Sequence, residues 1–324
     1  MGPATFPLLK LLADGRFHSG EDLARRLGRT RATVSEALKA SGELGLVVFS
    51  VPGKGYKLAS PVEFLDAGRI VEGLAEAAGR VRLTLLDETD STSTRVAELA
   101  QQGAPSGTCV AAEWQRAGRG RRGRAWHSAP GASITFSILW RFERGPGHLA
   151  GLSLAVAVAA ARALERCGAR GVGVKWPNDL VAGWKKLGGI LVETSGDLLG
   201  PTAAVIGVGV NYRLGEALGA RIDQPAVDAV SLTEEPPSRN ALLAALVAEL
   251  VAALERFERE GFGAFREAWK AKHAYAGRRV TVLVPDAAPR VARVVDIAED
   301  GALVVSENGH AERLTAAEIS LRPA

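Results

Sequence analysis

The sequence predicts a multidomain α+β protein: a winged helix-turn-helix, a larger domain in which strands alternate with helices, and a small all-β domain at the end. Three observations carry this. The 324 residues amount to two domains, or three if one is small, at roughly 150 residues per domain. Hydrophobic residues make up 47% and charged residues 23%, the balance of a folded chain rather than a disordered one. Positive charge is concentrated at one end. Residues 1–60 hold nine Lys or Arg against five Asp or Glu, whereas the other 264 residues balance at 31 against 31. A basic module on a neutral body suggests a polyanion-binding head.

Leu8, Leu9 and Leu12 predict a first short helix. Ser19, followed by Glu21 and Asp22, caps a second helix that carries Leu23 and Leu27 one turn apart and stops at Gly28. Thr30 caps a third, with Val34 and Leu38 inward and Arg31, Thr33, Ser35 and Lys39 outward. An apolar run at 46–51, a Pro52-Gly53-Lys54-Gly55 turn and Tyr56-Lys57-Leu58 then predict a hairpin, which completes a winged module. Such modules also serve as protein-interaction units. The basic excess, with Arg31, Thr33, Ser35, Lys39 and Lys54 presented outward, favours DNA, because phosphate contacts need Lys or Arg.

A helical stretch is expected over 63–78, then strands over 80–86, 108–114, 133–141, 172–176, 190–194 and 203–210, with helices over 93–101 and 149–166. Leu242, Leu243, Leu246, Val247, Leu250, Val251, Leu254 and Phe257 mark a further helix by their 3.6-residue period. From Gly277 only short strands are expected, over 279–284, 290–297, 302–306, 310–314 and 318–321, with Asp300-Gly301 and Asn308-Gly309 turns. The domain boundaries are placed at 1–62, 63–274 and 275–324.

Two cysteines make no disulfide framework, and five scattered histidines offer no zinc-ligand spacing, so no structural metal is expected. The longest uncharged apolar stretch, 149–161, is 13 residues, short of the roughly 18 a membrane span needs. Met1-Gly2-Pro3-Ala4-Thr5 lacks a basic region leading into an apolar one. A cytoplasmic protein without a membrane partner is the expectation.

GRGRRGR at 118–124 matches a dinucleotide fingerprint only superficially, because Pro130 and Gly131 follow where that motif requires a helix. It reads as a loop. Arg116, Arg119, Arg121, Arg122 and Arg124 fall within nine residues and repel one another unless solvated or given an anion. A charge run alone is commonly a solvated surface. Here Gln115 at a strand end precedes it and Trp126 follows, which favours an anion-binding lid. Lys175-Trp176-Pro177-Asn178-Asp179 ends a strand in a turn that brings a lysine near a carboxylate. Lys186 stands at the entrance of the strand that follows Gly188-Gly189, and Gly207-Val208-Gly209-Val210-Asn211 places glycines where a ligand or backbone comes close. No GxxxxGK[ST] phosphate loop occurs.

Taken in order, DST at 90–92, Gln115, GRGRRGR at 118–124, Trp126, KWPND at 175–179, KKLGGILVE at 185–193 and GVGVN at 207–211 resemble biotin protein ligases. The winged module with VPGKGY at 51–56 narrows the resemblance to the bifunctional members, at once biotin operon repressor and biotin–[acetyl-CoA-carboxylase] ligase. It covers nearly the whole chain. The resemblance implies a class II synthetase-like mixed-sheet catalytic domain and an SH3-like C-terminal β-barrel. It also implies ATP-dependent formation of biotinyl-5'-AMP with Mg2+, transfer of biotin to a lysine of the biotin carboxyl carrier protein, and repression at a biotin operator by an adenylate-bound homodimer.

Carried over by motif, Ser91, Thr92, Ser93, Gln115, Arg119, Gly120, Arg121 and Lys186 line the biotin and adenylate site, together with Trp126, Asn178, Gly188, Gly207 and Asn211. Ser93 departs from the family, which commonly has asparagine there. Arg119, Arg121, Lys186 and Asp179 are the catalytic candidates. Clustered cations suit the chemistry because a carboxylate must become a mixed anhydride with AMP before it acylates an amine. Asp179 either assists Mg2+ or receives a proton from the incoming ammonium. Two other readings exist. A lipoate-type ligase shares the catalytic fold but lacks this arginine loop, and intact Lys186 and that loop count against a corepressor-binding regulator without catalysis.

Overall fold

The computed structural model describes residues 2–197, 200–284, 288–315 and 320–323. The head contains α1 (Thr5–Leu11), α2 (Gly20–Leu27) and α3 (Arg31–Ala40), then the hairpin β1 (Val48–Val51) and β2 (Gly55–Leu58). Local chemistry sets these limits. Ser19 Oγ accepts the Asp22 N–H at 3.1 Å, Gly28 ends α2 in the left-handed region at φ 61°, and Thr30 Oγ1 accepts the Thr33 N–H at 3.2 Å. Leu8, Leu9, Leu12, Leu23, Val34, Leu44 and Leu58 fill the core, with Leu38 packed at its margin.

The helix expected over 63–78 is shorter. The chain is non-helical through 63–66, α4 (Ala67–Gly73) begins after the Asp66 cap, and a 3-10 turn runs over Ala75–Arg80. The backbone of 63–66 is committed elsewhere. Arg239 donates to Glu63 O at 3.1 Å, Asn240 Nδ2 to Phe64 O at 3.1 Å, the Leu65 N–H to the Glu113 carboxylate, and the Asp66 N–H to Asn240 Oδ1 at 2.7 Å. Helical hydrogen bonds would compete with these partners.

The central sheet has seven strands: β3 (Arg82–Thr89), β4 (Thr108–Gln115), β5 (Ser133–Phe142), β6 (Gly173–Lys175), β7 (Asp179–Ala182), β8 (Lys185–Gly196) and β9 (Thr202–Asn211). Their order is β3-β4-β5-β9-β8-β7-β6, parallel only between β3 and β4. Here α5 (Thr92–Gln101) lies between β3 and β4 in sequence, and α6 (Leu152–Arg166) between β5 and β6. The short α7 (Glu216–Gly219), the long α8 (Arg239–Glu260) and α9 (Gly263–Lys272) complete the helices of this unit. By helix length and hydropathy Pro146–Arg166 is apolar enough to cross a membrane, contrary to the expectation from uninterrupted apolar stretches, but 67% of its most apolar window is buried inside the protein. It packs on α8 and against the sheet. β7 and α9 were not expected: Asn178 and Asp179 read as turn residues, yet Asp179 already pairs in register with Lys175.

The last unit contains β10 (Arg279–Leu283), β11 (Arg290–Ile297), β12 (Leu303–Glu307), β13 (His310–Leu314) and β14 (Ser320–Pro323), all antiparallel in the order β13-β12-β11-β10-β14. The final strand returns to pair with the first of the unit, leaving β13 and β14 at the ends of the order. The strand expected over 318–321 begins at Ser320; its first two residues lie outside the described ones. Trp176, fully buried, donates its indole N–H to Gly301 O at 3.0 Å and fastens this unit beside β6.

Candidate active site

A cavity of about 380 Å³ opens over one face of the central sheet. Its buried end is polar. Gln115, at the end of β4, accepts the Thr92 N–H at 2.8 Å and the Thr92 hydroxyl at 3.1 Å through one Oε1, while Ser91 Oγ caps α5 by accepting the Thr94 N–H at 3.5 Å. Thr92 Oγ1 and Ser93 Oγ each share a hydrogen bond with Ser137 Oγ, at 2.8 and 3.0 Å. Ser137 was missed in the sequence. Its signal was the polar alternation Ser133, Thr135, Ser137 within an otherwise apolar strand.

Glycines leave room at the floor. A Cβ at Gly207 would lie 2.7 Å from Ser93 Oγ, and one at Gly209 2.5 Å from the Trp126 ring. Gly188, expected in the wall, is not there; its neighbour Gly189 is. A Cβ at Gly188 would meet Gly209 O at 2.7 Å, so its role is close packing of β8 on β9.

The arginine-rich segment folds back on itself. The Gly120 N–H donates to Arg124 O at 2.7 Å, the Trp126 N–H to Gly118 O at 2.8 Å, and a 3-10 turn at Arg121–Gly123 holds Arg122 at φ 60°. Arg116 anchors its base to Asp90 at 2.9 Å and Glu88 at 3.3 Å. Arg119 pairs with Glu193 at 2.8 Å, both partly exposed, and Arg121 Nη1 donates to Asn178 Oδ1 at 3.2 Å. Burial lowers the Arg121 pKa, with Arg122 and Arg124 adding to the effect and Asp179 opposing it. The buried Trp126 Nε1 has no hydrogen-bond partner among the described residues.

Opposite this segment, Asp179 lies between two lysines, 2.9 Å from Lys186 Nζ and 3.3 Å from Lys175 Nζ. Burial alone would push this carboxyl up, but Lys186 and Lys175 outweigh it and hold it below the usual carboxylate range. Asn178 Nδ2 donates to Ile190 O at 2.6 Å. Asn211 lines the cavity, yet its Nδ2 donates to Lys186 O and Val227 O, both at 3.2 Å, so its amide fastens the backbone that carries Lys186. The remaining candidates, Ser91, Thr92, Ser93, Gln115, Arg119, Gly120, Arg121, Trp126, Asn178, Asp179, Lys186 and Gly207, all line this one cavity. Sequence reasoning also missed Arg221, Ile222, Asp223 and Gln224, which follow α7, and His127, whose pKa is lowered by burial and by Arg221. Nothing in their residue types marked a binding loop. Among the described residues no three His, Cys, Asp or Glu side chains cluster as metal ligands.

In the head, Arg31 and Lys39 are exposed on α3, Lys54 is exposed on the hairpin turn, and Thr33 and Ser35 are half-buried, Thr33 Oγ1 sharing a hydrogen bond with Thr30. Three successive residues of β4 touch head, linker and cavity. Gln115 faces the cavity, Trp114 packs at the margin of the head's core, and buried Glu113 pairs with buried Arg239 at 2.7 Å while accepting the linker's Leu65 N–H.

Fold and site together define a protein ligase of the biotin/lipoate type that carries a DNA-binding head. The Biotin/lipoate A/B protein ligase family matches residues 85–211, an HTH domain residues 6–57, and the Biotin protein ligase C terminal domain residues 275–322. The bifunctional ligase/repressor BirA of Salmonella typhimurium is 39% identical over 332 aligned residues, covering 100% of both chains. That of Escherichia coli is 38% identical, covering 98% of this chain and 97% of its own. Among solved structures, the biotin protein ligase from Aquifex aeolicus in complex with biotin and ATP superposes with a TM-score of 0.64 at 26% identity, over 75% of this chain and 99% of that one. The chain belongs to the bifunctional ligase/repressor family.

Proposed function

We propose that this protein activates biotin with Mg-ATP as biotinyl-5'-AMP and transfers it to one lysine of the biotin carboxyl carrier protein of acetyl-CoA carboxylase. With the adenylate bound it dimerises and represses a biotin operon, working in the cytoplasm. The observation that carries the reading is one cavity with a buried hydroxyl and amide cluster at one end and Arg121 and Lys186 at the other.

Chemically the two ends suit the two ends of biotin. Thr92, Ser93 and Gln115 offer donors and acceptors to a ureido group, with Ser137 holding the two hydroxyls from behind, and the Gly207 and Gly209 floor beneath Trp126 suits an apolar ring and chain. Lys186 and Arg121 would hold the carboxylate against ATP. A carboxylate oxygen then attacks the α-phosphorus, pyrophosphate leaves, and the cations stabilise the charge that develops on the phosphoryl oxygens. In the second step the acceptor's ε-amine attacks the acyl carbon and AMP leaves. Of the two roles open to Asp179, neither is favoured by its surroundings. A carboxyl held below its usual range is a weak base, and each of its oxygens faces a lysine. Positioning Lys186 suits it better.

For repression, the alternation of Gln115, Trp114 and Glu113 supports a link between an occupied cavity and the head, and the exposed Arg31, Lys39 and Lys54 support phosphate contact. The domain limits 1–62, 63–274 and 275–324 fit this division of labour. Exchange of labelled pyrophosphate into ATP tests the first step: it is expected with biotin and not with lipoate. Exchange with lipoate alone would refute the assignment.

A further inference from the structure

The turn between β7 and β8 consists of Gly183 at φ 51° and Trp184 at φ 69°. Left-handed backbone is an outlier for a bulky side chain, and glycine or asparagine would occupy such a turn without strain. Trp184 is nevertheless 40% exposed. One face of its ring stacks on Tyr275, centroids 4.7 Å apart and planes 23° from parallel, and the Arg278 guanidinium carbon sits 4.7 Å from its centroid. Beneath them, Lys175 Nζ lies 5.9 Å from the Tyr275 centroid, and Lys175 lines the cavity. Cations and rings thus alternate from the surface to the cavity wall.

The neighbouring surface is cationic and apolar. Arg279 on β10 is in register with Arg293 on β11, both exposed, and like charges opposite one another repel. Val291 and Val295, on the same face of β11 as Arg293, are 38% and 56% exposed. Elsewhere in this unit arginines find carboxylates, Arg290 with Glu307 and Glu312 and Arg313 with Asp300. Among the described residues no ion pair is made by Arg278, Arg279 or Arg293.

We infer that this patch docks the acceptor: an acidic face of the lysine-bearing carrier domain covers Trp184, Arg278, Arg279 and Arg293 while its lysine enters the cavity beside Lys175. The inference rests on the ligase activity proposed above. An exposed tryptophan flanked by arginine is the composition of an interface hot spot. Cations that make no ion pair among the described residues call for carboxylates from outside, which would also relieve the Arg279 and Arg293 repulsion. Position supplies the last argument, because a second substrate must arrive at the rim of the cavity that holds the first.

The test uses the full chain with biotin, Mg-ATP and the carrier domain. Trp184→Gly should fold, since glycine accepts φ 69° freely. Its pyrophosphate exchange should stay within about twofold of wild type, while KM for the acceptor rises about tenfold or more, the loss typical of an anchoring tryptophan. The double variant Arg279→Glu, Arg293→Glu should raise the same KM and flatten the fall of kcat/KM with salt that the wild type shows. Acceptor KM within about twofold of wild type in both variants would overturn the inference. So would exchange falling in step with transfer, which would make the stack only a strut. Wild-type protein that transfers no biotin would refute the ligase reading itself, an outcome read before any variant is made.

Discussion

Replacing Lys186 with alanine removes one charge from the cavity and little of the scaffold. The Lys186 N–H donates to Pro225 O at 2.8 Å, its carbonyl accepts the Val227 N–H at 2.9 Å and the Asn211 amide at 3.2 Å, and none of these bonds uses the side chain. The side chain's own partner, Asp179, keeps Lys175 at 3.3 Å. The stability cost should therefore be about 1–2 kcal/mol, below the roughly 3–5 kcal/mol of a buried charge left alone. The catalytic cost is larger. A cation removed from a developing phosphoryl charge commonly forfeits about 3 kcal/mol, and at 1.36 kcal/mol per decade that is about a hundredfold in rate. Biotin-dependent pyrophosphate exchange reads this directly, with thermal unfolding measured on the same sample. Lys186→Arg should recover part of the rate. A folded Lys186→Ala protein exchanging within about threefold of wild type would refute the role given to this lysine.

Arg121→Gly should weaken closure of the arginine segment over the adenylate and let it escape, seen as biotin spread over many lysines of a lysate; a single acceptor band with unchanged adenylate release would confine Arg121 to catalysis. A chain that begins at Pro61 should still make adenylate but no longer bind operator DNA in a gel shift, whereas the full chain should bind more tightly with adenylate and less tightly with salt. A chain that begins at Phe64 also loses the Glu63 carboxylate, which accepts from Ser238 Oγ at 2.7 Å, the Arg239 N–H at 2.6 Å and Asn240 Nδ2 at 2.8 Å. It should be about 2–4 kcal/mol less stable to urea than the Pro61 chain. Burial lowers the His273 pKa from 6.5 to about 4, so the folded ring stays neutral where the unfolded ring takes a proton. Stability should then fall as pH drops from about 6.5 to about 4, by about 3 kcal/mol from a gap of about 2.5 units, and urea unfolding of His273→Phe at pH 7 and 4.5 should show that slope removed.

Much of the fold was legible because it is written in local chemistry. Ser19, Gly28 and Thr30 bound the helices of the head through their own side chains or φ angles, and the strand and helix periods of the central unit needed no distant information. What escaped depends on partners far along the chain. Residues 63–66 leave the helix because Glu113, Arg239 and Asn240, which lie 48 to 177 positions away, take their polar groups. β7 looked like a turn because Asn178 and Asp179 are turn residues. The site divides the same way. Motif order brought Gln115, Arg121, Lys186 and Asp179 to attention, but a motif does not say which glycine faces the ligand, and Gly188 proved to be packing while Gly189 lines the wall. Ser137 showed only as one step of a polar alternation within β5, and the 221–224 segment carries no chemical signature in sequence; both join the site through the third dimension.

The central claim is that this one chain both activates biotin and places it on a specific lysine. Mass spectrometry of intact carrier domain, incubated with the protein, biotin and Mg-ATP, tests both halves together. One added biotinyl group, located to a single lysine by fragmentation and absent when ATP is omitted or lipoate replaces biotin, is the result expected. Carrier domain that remains unmodified beside folded protein, or accepts lipoate instead, would contradict the account.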